Sequence, residues 1–282
     1  MAERNEAGRL EDMRLLLVST PRSGNTWFRR LLCGALDLKE FAVHRPCELN
    51  WAQLPPRCLV QMHWRVKQDV WKISRDFGFQ PIVIVRHPLD VLISILHFCN
   101  FELETNYWLG GEGGDEASIR GKDPADHAFA AYVTGPRAAA LLSVSATWMD
   151  QQVPHIRFEE LVAKTEPELK NFLCRFGAEP VRPFPDVIEG NTLQKSRSSS
   201  ENHHFWQGQP GLWSKLIDKH LAHRIHAVHP DVFASLGYGV QEACCVPPED
   251  SRRLWSTLRA EPHRAADERG DRQGQDSASL AC

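Results

Sequence analysis

The sequence predicts an α/β fold, a P-loop-like three-layer arrangement in which helices flank a central parallel sheet. Two observations carry this prediction. Short apolar segments alternate along the chain with segments of helical pattern, an order that favours parallel strands covered by helices on both faces. Two of the apolar segments, Arg14–Ser19 and Pro81–Arg86, are apolar almost throughout, as strands buried on both faces are.

The other predicted strands are Cys58–Met62 and Val153–Phe158. The predicted helices are Trp27–Leu36, Val66–Phe77, Leu89–Phe98, Ala125–Gln151 and Pro167–Phe176. In a parallel sheet of this kind, ligands bind beyond the carboxyl ends of the strands. Residues 20–26, His63 and Arg86 follow predicted strands directly, so they are candidates for a binding site.

The composition is that of a folded globular protein, with 42% hydrophobic and 24% charged residues in 282. We expect one domain over residues 14–245, after a flexible N-terminus at 1–13. Residues 246–282 are polar and dense in charge, and we expect them to form a disordered tail. The formal net charge of −3 argues against the broad basic surface that binds nucleic acid, so any anion site must be local.

No apolar stretch approaches the ~20 residues that a membrane-spanning helix needs, and the polar start lacks the pattern of a secretory signal. The eight cysteines contain no CxxC pair, which is typical of free thiols in a reducing compartment. We therefore expect a soluble, cytoplasmic protein without a membrane or nucleic-acid partner. The histidines that recur every third residue from His220 to His229 have no acidic or cysteine partner, and we predict no metal site.

Residues 20–27, Thr-Pro-Arg-Ser-Gly-Asn-Thr-Trp, join the first predicted strand to the first predicted helix. Backbone N–H groups at such a turn and at a helix N-terminus can bind a phosphate, and Arg22 adds positive charge. The segment is not a Walker A loop, because Gly24 is its only glycine and no lysine precedes Thr26. Since every strand-to-helix connection must turn somewhere, this segment alone does not establish a phosphate site.

A second phosphate-binding pattern begins at Arg86, directly after a predicted buried strand. Pro88 suits the first turn of a helix, and Ser94 lies about two turns into that helix. An arginine at the strand end and a serine on the helix can then converge on one phosphate. Taken singly, each residue is more often structural, so the pair is the more specific signal.

Together, the two segments resemble the family of sulfotransferases that use 3′-phosphoadenosine 5′-phosphosulfate (PAPS). Residues 20–27 are similar to the family's loop around the 5′-phosphosulfate, and Arg86 with Ser94 to its 3′-phosphate pair. By order of elements the resemblance extends over residues 14–240. It implies transfer of a sulfuryl group from PAPS to a hydroxyl or amine, with a small molecule as the expected acceptor, in a family whose members are often homodimers.

The resemblance also implies roles for the matching residues of the first loop. The residues that would hold the 5′-phosphate and the sulfate through N–H and hydroxyl groups are Ser23, Gly24, Asn25 and Thr26. Trp27 would stack on the adenine. Arg22 stands where the family usually has lysine; it can neutralise the leaving phosphate but gives up a proton poorly, so we expect an electrostatic role for it in catalysis.

Three further matches lie along the rest of the chain. His63 falls where similar sulfotransferases place their catalytic histidine, and a neutral imidazole can take a proton from the acceptor. Phe158 stands where a tyrosine often touches the adenine. Gly208 belongs to a glycine-containing segment that closes over the 3′-phosphate in the family, but Trp206 and Gln207 replace the basic pair found there, so this chain lacks the usual charge. Without the resemblance, His63 is more often a structural histidine at a strand end, and a core aromatic that ends a strand explains Phe158 equally well.

Two alternatives differ in class from the sulfotransferase hypothesis. One is a nucleotide or small-molecule kinase that uses ATP and magnesium, which the missing lysine disfavours. The other is a non-catalytic nucleotide-binding relative, which the missing basic pair favours. The sequence does not identify the acceptor, although the aromatic residues Trp64, Phe101, Tyr107 and Trp108 are candidates for lining an apolar acceptor pocket.

Overall fold

The computed structural model describes residues 12–102, 104–111, 116–198 and 205–260. Its centre is a five-stranded sheet in the order β2-β3-β1-β4-β5, with every neighbouring pair parallel. The strands are β1 Met13–Val18, β2 Lys39–Ala42, β3 Arg57–Met62, β4 Gln80–Val85 and β5 His155–Arg157. The α-helices are α1 Asn25–Leu36, α2 Gln68–Asp76, α3 Pro88–Phe98, α4 Trp108–Gly111, α5 His127–Val133, α6 Pro136–Met149, α7 Phe158–Ala163, α8 Thr165–Cys174, α9 Phe184–Gly190, α10 Leu193–Ser198, α11 Trp213–Leu216, α12 Lys219–Val228, α13 Pro230–Leu236 and α14 Pro248–Ala260.

The sheet separates two apolar cores, because successive side chains of a strand point to opposite faces. Leu16 and Val83 belong to the core that α3, α6 and α13 cover. Leu17 and Ile84 belong to the core that α1, α8 and α9 cover. Helices on both faces of a parallel sheet make the three layers, so the predicted fold class is confirmed.

The four predicted strands and most predicted helices appear within a few residues of their expected bounds. Strand β2 was not predicted, because it lies at the edge of the sheet and its residues are mostly exposed. The prediction of one helix over Ala125–Gln151 is wrong. The chain forms α5 and α6 instead, and Gly135 and Pro136 separate them because proline has no N–H to continue a preceding helix.

The prediction of a disordered tail from residue 246 is wrong for the described part of that tail. Helix α14 covers Pro248–Ala260, and its Trp255 is only 2% exposed within the core on the α3 side of the sheet. Ser251, Trp255 and Leu258 are spaced so that they share one face of the helix. Residues 261–282 lie outside the described residues, as does the predicted flexible N-terminus before Asp12. No helix in the described ranges is long and apolar enough to cross a membrane.

Candidate active site

A cavity of ≈ 260 Å³ lies at the carboxyl ends of β1, β3 and β4. All of the predicted site residues except Ser23, whose side chain is buried, contribute to its lining. They are Arg22, Gly24, Asn25, Thr26, Trp27, His63, Arg86, Ser94, Phe158 and Gly208. Residues that are up to 186 positions apart in the chain therefore meet at one site, at the edge of the sheet where parallel α/β folds bind ligands.

The loop between β1 and α1 approaches the cavity with its backbone. Gly24 has a φ of 97° and precedes the first residue of α1, whose N-terminus has no side-chain cap. Arg22 also has a positive φ, 67°, and the Asn25 amide donates to Thr20 O at 2.8 Å across the turn. The ring of Phe158 packs so closely on the loop that a Cβ at position 24 would lie 2.6 Å from its Cδ2. Glycine is therefore required both by the backbone conformation and by the ring.

Buried hydrogen bonds hold this loop on the core. Thr20 N donates to Ser145 Oγ at 2.8 Å, and Ser145 N donates back to Thr20 Oγ1 at 3.1 Å. Thr20 Oγ1 also donates to Leu141 O at 3.1 Å. One residue earlier, Ser19 Oγ accepts from Ile84 N at 2.8 Å. These contacts join the loop to α6 and β4, so its amide groups keep one orientation.

Two arginines and a serine meet in the cavity. Arg22 Nε donates to Ser94 Oγ at 3.2 Å, and the Arg22 guanidinium carbon lies 4.4 Å from the centre of the Phe98 ring. Arg86 Nη1 donates to Arg22 O at 3.2 Å, and its guanidinium carbon lies 4.5 Å from the centre of the Phe158 ring. The predicted pair of Arg86 and Ser94 thus lines one cavity, with Arg22 as the residue that contacts both.

The electrostatics of the arginines are those of an anion site. Burial, reinforced by repulsion from Arg86, lowers the pKa of Arg22 to about 9, against an opposing contribution from Glu102. Arg22 is therefore still charged at neutral pH. Arg86 Nε is buried and has no hydrogen-bond partner among the described residues. A bound anion would satisfy that donor and relieve the repulsion between the two cations.

His63 lies at the end of β3, half-buried at the cavity wall. Its Nδ1 is 2.8 Å from Ser19 O, and a carbonyl oxygen only accepts, so Nδ1 carries the proton and Nε2 the lone pair. Burial, helped by repulsion from His44, Arg22 and Arg29, lowers the pKa of His63 to about 4, against the bond to Ser19. At neutral pH the imidazole is uncharged and can accept a proton at Nε2.

Aromatic side chains line the end of the cavity that lies next to Arg86, whose guanidinium carbon is 4.5 Å from the centre of the Phe158 ring. Trp27 and Phe158 meet edge to face with ring centres 6.1 Å apart, and Trp27 Nε1 donates to Asn191 O at 3.0 Å. Apolar side chains of Val162 and Ile188 lie beside them. This end has the flat, apolar character of a site for a planar ring.

The roof segment, residues 205–213, covers the cavity. It has no regular secondary structure up to residue 212, and residue 213 begins α11. Gly208 and Gly211 both have positive φ, 64° and 77°. Asp90 of α3 holds the segment, because its two carboxylate oxygens accept from Gly211 N at 2.6 Å and from Trp213 N at 2.9 Å. The sequence did not indicate this role for Asp90. Its two partners, Gly211 and Trp213, lie 121 and 123 positions further along the chain.

The cationic residues just before the roof segment do not line the cavity. Lys195 pairs with Glu189 at 3.3 Å on the surface, and Arg197 Nε donates to Trp206 O at 3.1 Å. Trp206 and Gln207, which are uncharged, do line it. The positive charge at the described cavity wall therefore comes from Arg22 and Arg86.

Gln61 is a cavity residue that the sequence analysis missed. Its Oε1 accepts from Arg29 Nη1 at 2.8 Å, and Arg29 in turn pairs with Glu40 at 3.0 Å. The amide nitrogen of Gln61 remains as a donor beside His63. The signal for it was available, because residues two apart on a strand share a face of the sheet. Of the aromatic residues considered for an acceptor pocket, Trp108 lines the cavity.

The two bonds to Asp90 lead to a first prediction. In Asp90→Asn only one carbonyl oxygen remains to accept from two backbone N–H groups, so one buried donor loses its partner. We expect the free energy of unfolding to fall by about 2 kcal/mol, measured by urea denaturation. Asp186→Asn, a change at an exposed residue of α9, is the control and should stay within about 0.5 kcal/mol of the wild type. Equal stability of the two variants would contradict the role given to Asp90.

This geometry belongs to a sulfotransferase-type fold: a P-loop-like sheet with a glycine-containing loop after β1 and an arginine and serine after β4. Among solved structures, mouse sulfotransferase SULT7A1 complexed with PAP matches 83% of this chain and 91% of its own, with 16% identity and a TM-score of 0.58. Retinol dehydratase, solved with androsterone and inactive cofactor PAP, matches 85% of this chain and 84% of its own, with 12% identity and a TM-score of 0.50. No protein-family model and no curated protein matches the sequence. At these identities the likeness establishes the fold.

Proposed function

We propose that this protein is an enzyme that transfers a sulfuryl group from PAPS to a hydroxyl or amine of an acceptor, which we expect to be a small molecule. The observation that carries the proposal is the convergence of Arg22, Arg86 and Ser94 on one cavity at the carboxyl ends of β1 and β4. Two guanidinium groups held this close favour a ligand with several negative charges. Both structural neighbours were solved with PAP, which is consistent with such a ligand.

The described residues fit PAPS at both of its charged ends. The buried Arg86 Nε lacks a partner, and a 3′-phosphate beside Arg86 and Ser94 would supply one. The loop that includes Gly24 presents backbone at the N-terminus of α1, as a 5′-phosphosulfate requires. Trp27 and Phe158 form the apolar end of the cavity, which suits the adenine ring.

When bound, PAPS supplies an activated sulfuryl group, and adenosine 3′,5′-bisphosphate (PAP) is the product. His63 is placed to accept the proton of the acceptor hydroxyl or amine at Nε2, since Nδ1 donates to Ser19 O. Arg22, charged at neutral pH, neutralises the charge that grows on the leaving phosphate. The hydrogen bonds of Thr20 keep the loop amides oriented during this change.

A kinase reaction with ATP and magnesium is less well supported by the same cavity. Within the described lining, the only carboxylate is Asp90, and both of its oxygens already accept from backbone N–H groups of the roof segment. No lysine lines the described part of the cavity. The groups that would hold Mg²⁺ and the transferred phosphate of ATP are therefore missing from the described residues.

Titration of the purified protein with PAP tests the proposal, with AMP and with ATP plus magnesium as competitors. We expect PAP to bind more tightly than AMP, because only PAP has the 3′-phosphate. Arg86→Ala should weaken PAP binding by about tenfold to a hundredfold, the effect of losing a charged hydrogen bond. Arg75→Ala, at an exposed arginine of α2 outside the cavity, is the matched control and should bind PAP like the wild type.

Equal or tighter binding of ATP with magnesium would overturn the sulfotransferase proposal in favour of a kinase. Tight binding of PAP without transfer from PAPS to any acceptor in a panel of alcohols, phenols and amines would favour the non-catalytic alternative. That alternative rests on the absence of a basic pair at Trp206 and Gln207.

A further inference from the structure

Helix α14 lies against the roof segment beside α3. Trp206 of the roof segment lines the cavity, and its ring meets Trp255 of α14 edge to face with centres 5.7 Å apart. Its Nε1 also donates to Leu258 O at 3.4 Å. A second contact joins α14 to the end of α11, where Ser251 Oγ donates to Leu216 O at 2.7 Å. Helix α14 thus contacts the chain on both sides of the glycines at 208 and 211.

One face of the Trp206 ring rests on α3. His97 stacks on the Trp206 ring with centres 4.1 Å apart and planes at 12°, and Trp255 meets His97 edge to face at 6.4 Å. Residues 90, 94 and 97 are spaced to share one face of α3. Along that face, Asp90 accepts from the roof segment, Ser94 accepts from Arg22, and His97 supports Trp206.

The roof segment needs this support, because its backbone is irregular and two of its glycines have positive φ. Segments with few internal hydrogen bonds open locally at low free energy unless side chains pack on them. Trp206 supplies such packing, since it is buried in contact with both His97 and Trp255. His97 and Trp255 are themselves almost fully buried.

We propose that α14 is a positioning element of the nucleotide site and that Trp255 is its positioning residue. Trp255 holds Trp206, and through Trp206 the roof segment, over the cavity that Arg22 and Arg86 line. The roof segment lacks the basic pair at Trp206 and Gln207, so aromatic packing from α14 takes over the task of keeping it closed on the ligand. The effect on nucleotide binding rests on the proposed function; the effect on the roof segment does not.

Hydrogen exchange of the free protein tests the positioning directly. The amides of Gly211 and Trp213 report on the seating of the roof segment, because both donate to Asp90. In Trp255→Ala we expect both to exchange about tenfold faster or more. Trp255→Phe keeps an aromatic ring against Trp206 and should restore exchange to near the wild-type rate.

Trp71→Ala is the matched control. Trp71 is a partly buried tryptophan of α2 that packs on Trp148 at 5.3 Å and does not line the cavity. This variant should lose stability without faster exchange at Gly211 and Trp213. Unchanged exchange in Trp255→Ala would overturn the proposal, and so would equally fast exchange in the Trp71→Ala control.

Titration with PAP then measures the consequence for the site. We expect Trp255→Ala to bind PAP about tenfold more weakly, and Trp255→Phe and Trp71→Ala to bind within about twofold of the wild type. If the wild type does not bind PAP, the proposed function and the effect on the ligand both fail, while the exchange result still decides whether α14 positions the roof segment. Faster exchange with unchanged PAP affinity would overturn the effect on the ligand.

Ser251→Ala covers the case in which Trp255→Ala does not fold. It removes one hydrogen bond, to Leu216 O, and leaves the aromatic stack in place. We expect the Trp213 amide to exchange about threefold faster in this variant. An unchanged rate would count against positioning by α14.

Discussion

Gly24→Ala is expected to abolish detectable binding of PAP and to lower the free energy of unfolding by about 3 kcal/mol. Two effects combine at this position. The backbone has a φ of 97°, which a residue with a Cβ rarely adopts, and the new Cβ would lie 2.6 Å from Cδ2 of the Phe158 ring. Either the loop leaves its conformation or the ring moves, and both line the cavity.

Gly78→Ala separates these two effects. Gly78 also has a positive φ, 69°, but a Cβ there would meet no atom within 4 Å. This control should lose only the ~1 kcal/mol that a left-handed conformation costs and should keep its affinity for PAP. Calorimetric titration and urea denaturation of both variants measure the two quantities. PAP binding by Gly24→Ala within threefold of the wild type would show that the loop does not approach the ligand as proposed.

His63→Gln is expected to change how stability depends on pH. The pKa of His63 is about 4 in the folded protein and near its ordinary 6.5 when unfolded. Between these two values the unfolded state binds a proton at His63 that the folded state does not. The titration of His63 therefore leaves the free energy of unfolding unchanged above pH 6.5 and decreases it as the pH falls from 6.5 towards 4. The lost free energy amounts to about 3 kcal/mol.

Urea denaturation at pH 7 and at pH 4 measures this effect as a difference of differences. The wild type should lose about 3 kcal/mol more than His63→Gln over that interval, because the variant lacks the titrating group. Contributions from other groups, such as the buried His87, cancel in the comparison. His223→Gln, on the exposed face of α12, should behave as the wild type does. A parallel loss in wild type and His63→Gln would mean that His63 is not held neutral.

The uncharged state of the His63 imidazole also bears on the proposed catalysis. A histidine with a pKa near 4 is neutral over the whole physiological range and so has a free lone pair at Nε2, although it is a weaker base than an ordinary imidazole. Its environment explains this state: Ser19 O holds Nδ1, while burial and the nearby Arg22 and Arg29 disfavour a charge on the ring. The same burial that raises the cost of protonation in the free protein therefore keeps His63 in the form that the proposed reaction needs.

Much of the fold and of the candidate site could be predicted from local sequence. The buried strands were found because short, continuous apolar runs are typical of parallel strands that are buried on both faces. Gly24, Arg86 and Ser94 were found because their spacing relative to a strand end and a helix start is itself a short-range pattern. Helix α14 was missed because polar residues outnumber the apolar ones on it, and Trp255 and Leu258 are buried only through contact with distant residues.

The layer arrangement, the glycine-containing loop after β1 and the arginine after β4 were predictable from the sequence alone, since apolar patterning and turn chemistry act between near neighbours in the chain. Only the tertiary structure decided which distant groups complete the site. Asp90 meets Gly211, His97 meets Trp206, and α14 contacts Trp206 and Leu216. The first two contacts join residues more than a hundred positions apart and those of α14 join residues 35 and 52 positions apart, where no local spacing constrains which side chains meet. That is why the sequence predicted the floor of the cavity and Gly208 of its roof, but not the contacts that hold the roof segment in place.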